Sequence, residues 1–350
     1  MRTLTPTSAA GLTFPFGDRA PQPGELLTIA PGIRWWRVPM SGPLKHVNGL
    51  ILDDATPDDP GALLAIDTGT ASPRSTEAWN HILDGPLAGR RIARILCTHM
   101  HPDHIGLAGW LSRRFGDAPI VMTRTEWLTA RMLSADARAE VPAEQIAFWR
   151  AAGWDEAQIA EASRGGFARF GKMIAPLPLG YVRIRDGEEL RIGGEAWRVV
   201  VGSGHSPEHA CLLNEDRRIL IAGDQVLPRI SSNVSLHAGE PEADPLGDWL
   251  ASIERFRLLP DDLLVLPGHG DPFHGLHARL DALWAEHHER LDALVEWMAE
   301  PRRAVDCFGQ LFRRPIGPDV IGMATGEALA HLRHLEVTGR AVRTVRNGVW

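Results

Sequence analysis

The sequence predicts an α/β fold of stacked layers. Apolar runs of strand length alternate with helical patterns between residues 62 and 123. Three further strand-like runs each end at a glycine beside a histidine or aspartate, and 44% of the 350 residues are hydrophobic, enough for a large buried core. At that length the chain exceeds one minimal domain and suggests a core with accessories.

The runs at 32–39, 46–52 and 62–66 read as strands of a first sheet, the third closing at Asp67-Thr68-Gly69. A helix over 75–85, a strand over 91–98, a helix over 107–115 and a strand over 119–123 follow. Residues 124–180 carry Trp127, Phe148, Trp149, Trp154, Phe167 and Phe170 in helical patterns, with Pro142 at a first-turn position and Asp155 as a cap. His205 stands 101 residues beyond His104, which leaves room for a helical insert over a site mouth. That insert reads equally as an apolar lid or as aromatics packed onto the domain. Hairpins over 190–201 and 210–222 come next, the second turning at Asn214-Glu215-Asp216. A catalytic domain over 1–275 is then followed by a module over 276–350. This module comprises a long helix to 299, short helices and a terminal hairpin over 341–350 with an Asn-Gly turn, and it is winged-helix-like.

The densest chemistry lies between Thr98 and Gly106, where His99, His101, Asp103 and His104 occupy six positions after an apolar run. In a turn after a strand, His99 and His101 can point one way while Asp103 and His104 curl toward a neighbouring position. One turn can therefore serve two metals. Imidazole and carboxylate suit Zn, Fe or Mn, and no cysteine competes within the cluster. The alternative is a solvated turn with incidental histidines. Against it, His205 follows Gly204, Asp224 follows Gly223 and His269 follows Gly268, each closing an apolar run where loops gather.

This order of motifs, HxHxDH, a glycine-preceded His, Gly-Asp and Gly-His, resembles the metallo-β-lactamase-fold hydrolases over roughly residues 30–275. The resemblance implies a four-layer αββα sandwich with a dinuclear centre at the edge of its two sheets. It implies that His99, His101 and His205 hold one divalent metal, Asp103, His104 and His269 the other, and that Asp224 bridges them. Asp103 and Asp224 would be the carboxylates at the reacting centre, and the metals two Zn ions, with Fe or Mn as alternatives. True metallo-β-lactamases carry cysteine at the Asp224 position or lack the bridge, and they are exported. The pattern is closer to hydroxyacylglutathione hydrolase, the acyl-homoserine lactonases and the nucleases of the fold. In relatives the Asp67 position orients a histidine ligand, although Asp67-Thr68-Gly69 also reads as a plain turn. Residues 204–209 resemble a GHTxGH segment, with Ser206 for threonine and Glu208 for glycine, so His209 supports the ligands rather than joining them. Some lactonases of the fold use a tyrosine near the metals; nothing aligns Tyr181, the only tyrosine, with it.

The loop 225–241 borders the substrate pocket in this fold, which makes Arg229, Ser231, Ser232, Asn233 and His237 candidates for substrate contact. Each also reads as a turn stabiliser, and His274 shares that ambiguity. His46, His81, His277, His287, His288, His331 and His334 fall on helical or surface patterns and are not read as ligands. The implied reaction is hydrolysis of an ester, thioester or lactone with an apolar acyl group by a metal-bridging hydroxide. The alternatives are a metal-dependent endoribonuclease or phosphodiesterase and a mononuclear iron oxygenase resembling the persulfide dioxygenases.

Charge and cysteine usage bound the partners. The net charge of −7 argues against a chain that coats nucleic acid. Residues 301–350, however, hold eight arginines and four acids, a local +4 that leaves −11 elsewhere, and they resemble the tail of a mitochondrial endoribonuclease of the same superfamily. Nucleic acid ranks there behind a packing or homodimerisation role. Cys97, Cys211 and Cys307 read as buried small hydrophobes in a reducing compartment, with a reactive Cys97 as the minor alternative. No apolar stretch reaches signal-peptide or membrane-span length, so a cytoplasmic protein with a small acyl substrate and no membrane partner is expected.

Overall fold

A computed structural model describes residues 7–40, 44–136, 138–164, 166–167 and 170–350. A short hairpin, β1 (Thr7–Ala9) and β2 (Leu12–Phe14), precedes two sheets. The first contains β3 (Leu27–Ala30), β4 (Ile33–Pro39), β5 (His46–Asp53), β6 (Leu63–Ile66), β7 (Ile92–Leu96), β8 (Ile120–Met122) and β9 (Val182–Arg183) in sequential order. Its first four strands are antiparallel, and β7, β8 and β9 continue parallel to β6. The second holds β10 (Glu189–Ile192), β11 (Glu195–Gly202), β12 (His209–Asn214), β13 (Ile219–Gly223) and β14 (Leu264–Pro267), with only the β13–β14 pair parallel.

Strand alternation builds the layers. Successive side chains of a strand face opposite ways. Ile33 and Trp35 of β4 therefore join Leu64 and Ile66 of β6 against Trp197, Val199, Leu212 and Ile221 of the second sheet. Trp36 and Val38, with Leu63 and Ala65, face outward into a helical layer. Both faces of the strands are apolar because both are covered.

The helices are α1 (Pro73–Asp84), α2 (Pro102–Ile105), α3 (Ala108–Arg114), α4 (Arg124–Ala135), α5 (Ala143–Ala151), α6 (Glu156–Ser163), α7 (Phe170–Met173), α8 (Pro245–Phe256), α9 (Leu276–Trp297), α10 (Phe308–Leu311) and α11 (Ile321–Val337). Helix α1 shows how sequence places them. Ser72 caps it by accepting from the Ser75 amide, Pro73 opens its first turn, and Ala78, Trp79, Ile82 and Leu83 give it one buried stripe. That stripe, with Leu111 of α3 and Trp127 of α4, covers the first sheet, while α8, α9 and α11 cover the second. The result is the expected αββα order. Burying one such leucine or phenylalanine is worth about 1.5–3 kcal/mol.

The insert straddles both outer layers. Trp127 and Ala130 of α4 pack on the first, whereas Phe148 of α5, Ile159 of α6 and Trp154 between those two helices join the second. Trp154 stacks on Trp149 with ring centroids 4.9 Å apart and donates its indole N–H to Thr325 Oγ1 at 2.8 Å. These aromatics therefore pack on the domain. Among the described residues, the large apolar side chains that the insert leaves exposed are Leu128, Met132, Met173 and Leu179. Asp155 caps α6 with a full capping box, while Pro142 sits one residue ahead of α5.

At the carboxyl end, α9 and α11 share one apolar cluster with the second sheet. The expected terminal hairpin shrinks to a single turn: Arg346 and Val349 pair around Asn347 and Gly348, both at positive φ, and no strand extends from them. The turn chemistry is present, but Val342 and Val345 are exposed and have no third strand or helix to lie on. Two unsupported strands are marginal in water. Among the described residues, no helix is long and apolar enough to cross a membrane.

Candidate metal centre

The seven motif residues converge at one end of the sheets, on loops that follow β7, β11, β13 and β14. His99 Nε2 lies 3.0 Å from His101 Nδ1, which lies 3.0 Å from His205 Nε2. The outer nitrogens are fixed from behind. His99 Nδ1 donates to Thr98 Oγ1 at 3.0 Å, since that hydroxyl donates its own proton to Asp67, and His205 Nδ1 donates to the Asn233 carbonyl at 2.7 Å. Both Nε2 atoms therefore present lone pairs to His101 Nδ1. A tetrahedral ion about 2.0–2.1 Å from each of three nitrogens holds them about 3.3 Å apart, close to the spacing here. Burial, reinforced by neighbouring imidazoles, pushes His99 well below the usual range and His101 to about 3, so this side resists protons.

The other side combines opposite preferences. His104 Nδ1 donates to Asp67 Oδ2 at 2.8 Å and His269 Nδ1 to the His46 carbonyl at 2.5 Å. Their Nε2 atoms face carboxylates: His269 lies 3.2 Å from Asp103 Oδ2 and 3.4 Å from Asp224 Oδ2, and His104 3.4 Å from Asp224 Oδ1. Burial disfavours charge on both rings, but Asp224 and Asp103 overcome it and raise them, His269 to about 10. Burial likewise works against charge on the carboxylates, yet His104 and His269 hold Asp103 at about 2 and Asp224 low. His104 Nε2, His269 Nε2 and Asp224 Oδ1 are buried with no hydrogen-bond partner. Lone pairs and carboxylate oxygens aimed at one point call for positive charge between them. Three ligand groups satisfy the fit: His99, His101 and His205; Asp103, His104 and His269; and His99, His104 and Asp224. Asp224 faces both sides, with Oδ2 also 3.6 Å from His205 Nε2.

The backbone makes room for this. A Cβ on Gly268 would lie 2.2 Å from Asp224 Oδ1 and 2.8 Å from His104 Cε1. Only glycine lets the chain leaving β14 pass so close to the carboxylate. Asp67 sits at φ 59°, a left-handed conformation rare outside glycine, and from there accepts from the Thr98 amide as well as His104. His209 accepts from the Asp224 amide at 3.0 Å and stacks on His99. It is thus a neighbour that fixes two ligands.

The loop after Asp224 divides its candidates. Ser232 donates to the Asp224 carbonyl, and Asn233 holds His205 through its own carbonyl. Ser231 Oγ lies 3.1 Å from His287 Nε2, under α9. Arg229 is 59% exposed, lies over the Phe14 ring and comes within 4.0 Å of Asp271, while His237 is exposed. His274 is remote in role, its Nδ1 donating to the Leu263 carbonyl. Tyr181 stacks on Trp127 at 4.8 Å as part of the outer layer. Cys97 is fully buried, and burial with the Asp67 charge raises its thiol well above the ordinary value, which removes it as a nucleophile. Cys211 and Cys307 are also buried and free.

Four contributors escaped sequence reasoning. His46 acts through its carbonyl, and its ring accepts from the Gly270 amide. Arg279 of α9 is buried and donates to the Leu227 and Ile230 carbonyls, anchoring the loop. Glu126 accepts from the Met100 and Glu208 amides, both at 2.8 Å, and Glu327 accepts from Asn233 Nδ2 at 2.9 Å. The departure at Glu208 has its own purpose: its carboxylate accepts from the Thr125 amide in the first turn of α4.

Residues 58–269 match the family described as the metallo-beta-lactamase superfamily, and residues 291–350 match the metallo-beta-lactamase-like C-terminal domain. A solved beta-lactamase domain protein from Burkholderia ambifaria is 36% identical and superposes with a TM-score of 0.89, covering 97% of this chain and 96% of its own. A metallo-beta-lactamase family protein from Thermus thermophilus is 28% identical with a TM-score of 0.74, covering 89% and 95%. The probable metallo-hydrolase YqjP of Bacillus subtilis is 30% identical over 157 residues, 44% of this chain and 48% of its own length. An atrochrysone carboxyl ACP thioesterase of Aspergillus fumigatus is 26% identical over 239 residues, 68% of this chain and 42% of its own. The chain thus spans less than half of each of these two relatives. By fold, by site and by the match over residues 58–269, the chain belongs to the metallo-beta-lactamase superfamily and is one of its hydrolases.

Proposed function

We propose that the chain is a dinuclear, metal-dependent hydrolase of thioesters, with esters and lactones of apolar acyl groups as related substrates. The observation that carries this reading is Asp224, a buried carboxylate facing His205 on one side and His104 and His269 on the other. His99, His101 and His205 would hold one cation, Asp103, His104 and His269 the second, and Asp224 both. Nitrogen and carboxylate donors favour zinc, with iron or manganese as alternatives. When bound, such a pair supplies a water that ionises near neutral pH and stabilises charge developing on the attacked carbonyl.

The residues present do the rest. Neutral His99, His101 and His205 offer lone pairs without competing protons. Asp67, the His46 carbonyl and the Asn233 carbonyl fix the tautomers of His104, His269 and His205. The thioesterase relative supports placing thioesters first. No thiol or serine nucleophile is required, and the three free cysteines fit a reducing, cytoplasmic setting. At least half of the arginines of the basic carboxyl end are already paired: Arg333 and Arg343 with Glu242, Arg340 with Asp292 and Arg303 with Asp306.

The test is a hydrolysis panel of acyl thioesters, lactones, β-lactams and bis(p-nitrophenyl) phosphate on wild-type protein and on Asp224→Ala and His101→Ala. Thioester hydrolysis should fall by about a thousandfold or more in each variant, the rate equivalent of about 4 kcal/mol, while the fold persists. Full activity in metal-stripped protein, or turnover of the phosphodiester alone, would contradict the reading.

A further inference from the structure

We propose that Glu126 and Glu327 are positioning residues that brace the three-histidine side of the centre, one supplied by the insert and the other by the carboxyl-terminal helices. This rests on the dinuclear reading above. Glu126 lies on α4, fully buried. Its two oxygens accept from the amide of Met100, between His99 and His101, and from the amide of Glu208, three residues past His205. One carboxylate therefore ties together the two loops that bring the His99 and His205 nitrogens each to 3.0 Å from His101 Nδ1. A single buried carboxyl that accepts both amides fixes both loops to one rigid helix. Glu208 closes the circuit, its carboxylate accepting from the Thr125 amide and its carbonyl from Thr123 Oγ1.

Glu327 works from the opposite side. Helix α11 approaches the loop closely, since the Leu236 amide donates to the Gly326 carbonyl and a Cβ on Gly326 would lie 2.7 Å from Ser235 Cβ. Glu327 Oε2 accepts from Asn233 Nδ2 at 2.9 Å, and Asn233 Oδ1 accepts from Ser235 at 2.6 Å. The side chain of Asn233 is thus held at both ends while its carbonyl receives His205 Nδ1. Arg290 of α9 holds the other Glu327 oxygen at 3.3 Å. Two elements beyond the metal motifs, the insert and the tail, so converge on the ligands of one metal position, and neither carboxylate touches those of the other.

The experiment is Zn2+ titration of apo wild type, Glu126→Ala, Glu126→Gln, Glu327→Ala and Glu327→Gln, followed by metal analysis and thermal melting, with Co2+ absorption reporting geometry. Both alanine variants should weaken one of the two Zn2+ sites about tenfold or more and alter the Co2+ spectrum, leaving the other site at wild-type affinity. Glu327→Gln, whose amide oxygen still accepts from Asn233, should restore wild-type binding, and Glu126→Gln, with one acceptor left, should fall between. Two Zn2+ bound at wild-type affinity in both alanine variants would overturn the proposal. So would equal weakening of both sites in proportion to lost thermal stability, the mark of a merely structural role. A wild-type chain that takes up no Zn2+ would overturn the dinuclear reading along with this one.

Discussion

At the residue scale the centre is built by fixing four of its five imidazoles, those of His99, His104, His205 and His269, from behind. Asp67→Asn should test this most sharply, because it keeps volume but can no longer accept equally from Thr98 and His104. Metal affinity should fall about 10–100-fold with little change in secondary structure, as read by competition with a chromogenic chelator. Unchanged affinity would show that His104 needs no such partner. Gly268→Ala removes no ligand, yet its Cβ would lie 2.2 Å from Asp224 Oδ1. The expected outcome is loss of metal and activity together; a fully active variant would mean that the strand yields easily. All seven centre residues were legible in the sequence because their motifs are local and their donor types are chemically restrictive. His46 was not, since a backbone carbonyl carries no side-chain signature. Glu126, Glu327 and Arg279 were not, because nothing in their own neighbourhood announces which loop they will meet.

At the element scale, α9 and α11 carry a buried relay. His331 Nδ1 donates to the Glu327 carbonyl, His287 Nδ1 faces His331 Nε2 at 3.2 Å, and the Ser231 hydroxyl completes the row at His287 Nε2. Every position is satisfied with both rings neutral, and a further proton on His331 Nε2 would meet the N–H of His287 Nδ1. Burial, with Arg290 adding repulsion to both and His331 to His287, lowers His287 to about 2 and His331 to about 4 from the usual 6.5. The unfolded chain therefore binds protons that the folded chain refuses, and stability declines as pH drops below about 6.5. Denaturant midpoints should fall between pH 7 and pH 5, and less steeply in a His287→Asn, His331→Gln double variant; parallel slopes would refute the assignment. The insert shows where pattern reading stops. Its helices and the Asp155 cap were legible from periodicity. Whether Phe148 and Trp154 would line a mouth or pack depended on the distant α11, whose Thr325 receives the Trp154 indole at a separation of 171 residues. The terminal hairpin failed for a related reason: Asn347-Gly348 makes the turn, but strands need a surface to pair on.

At the scale of the whole molecule, the αββα order places four loop ends at one edge, and two accessory elements embrace that edge from opposite helical layers. A layered α/β fold could be read from alternation along the chain, and its αββα order was implied by the resemblance of the motifs. The embrace by the accessory elements could not be read, because it depends on contacts between distant segments. The charge distribution depends on folding as well as on count, since Arg343 and Arg340 of the basic tail pair with Glu242 and Asp292 outside it. Thioester hydrolysis should consequently vary little between about 50 and 200 mM salt, and single-stranded RNA should not compete. Inhibition by RNA that salt relieves would revive a nucleic-acid role. The most direct measurement is thioester hydrolysis followed while metal-stripped protein is titrated with Zn2+ and the bound metal counted. Activity should be absent at the start and reach its plateau at two metals per chain, whereas full activity without metal, or a plateau at one iron per chain, would contradict a dinuclear hydrolase.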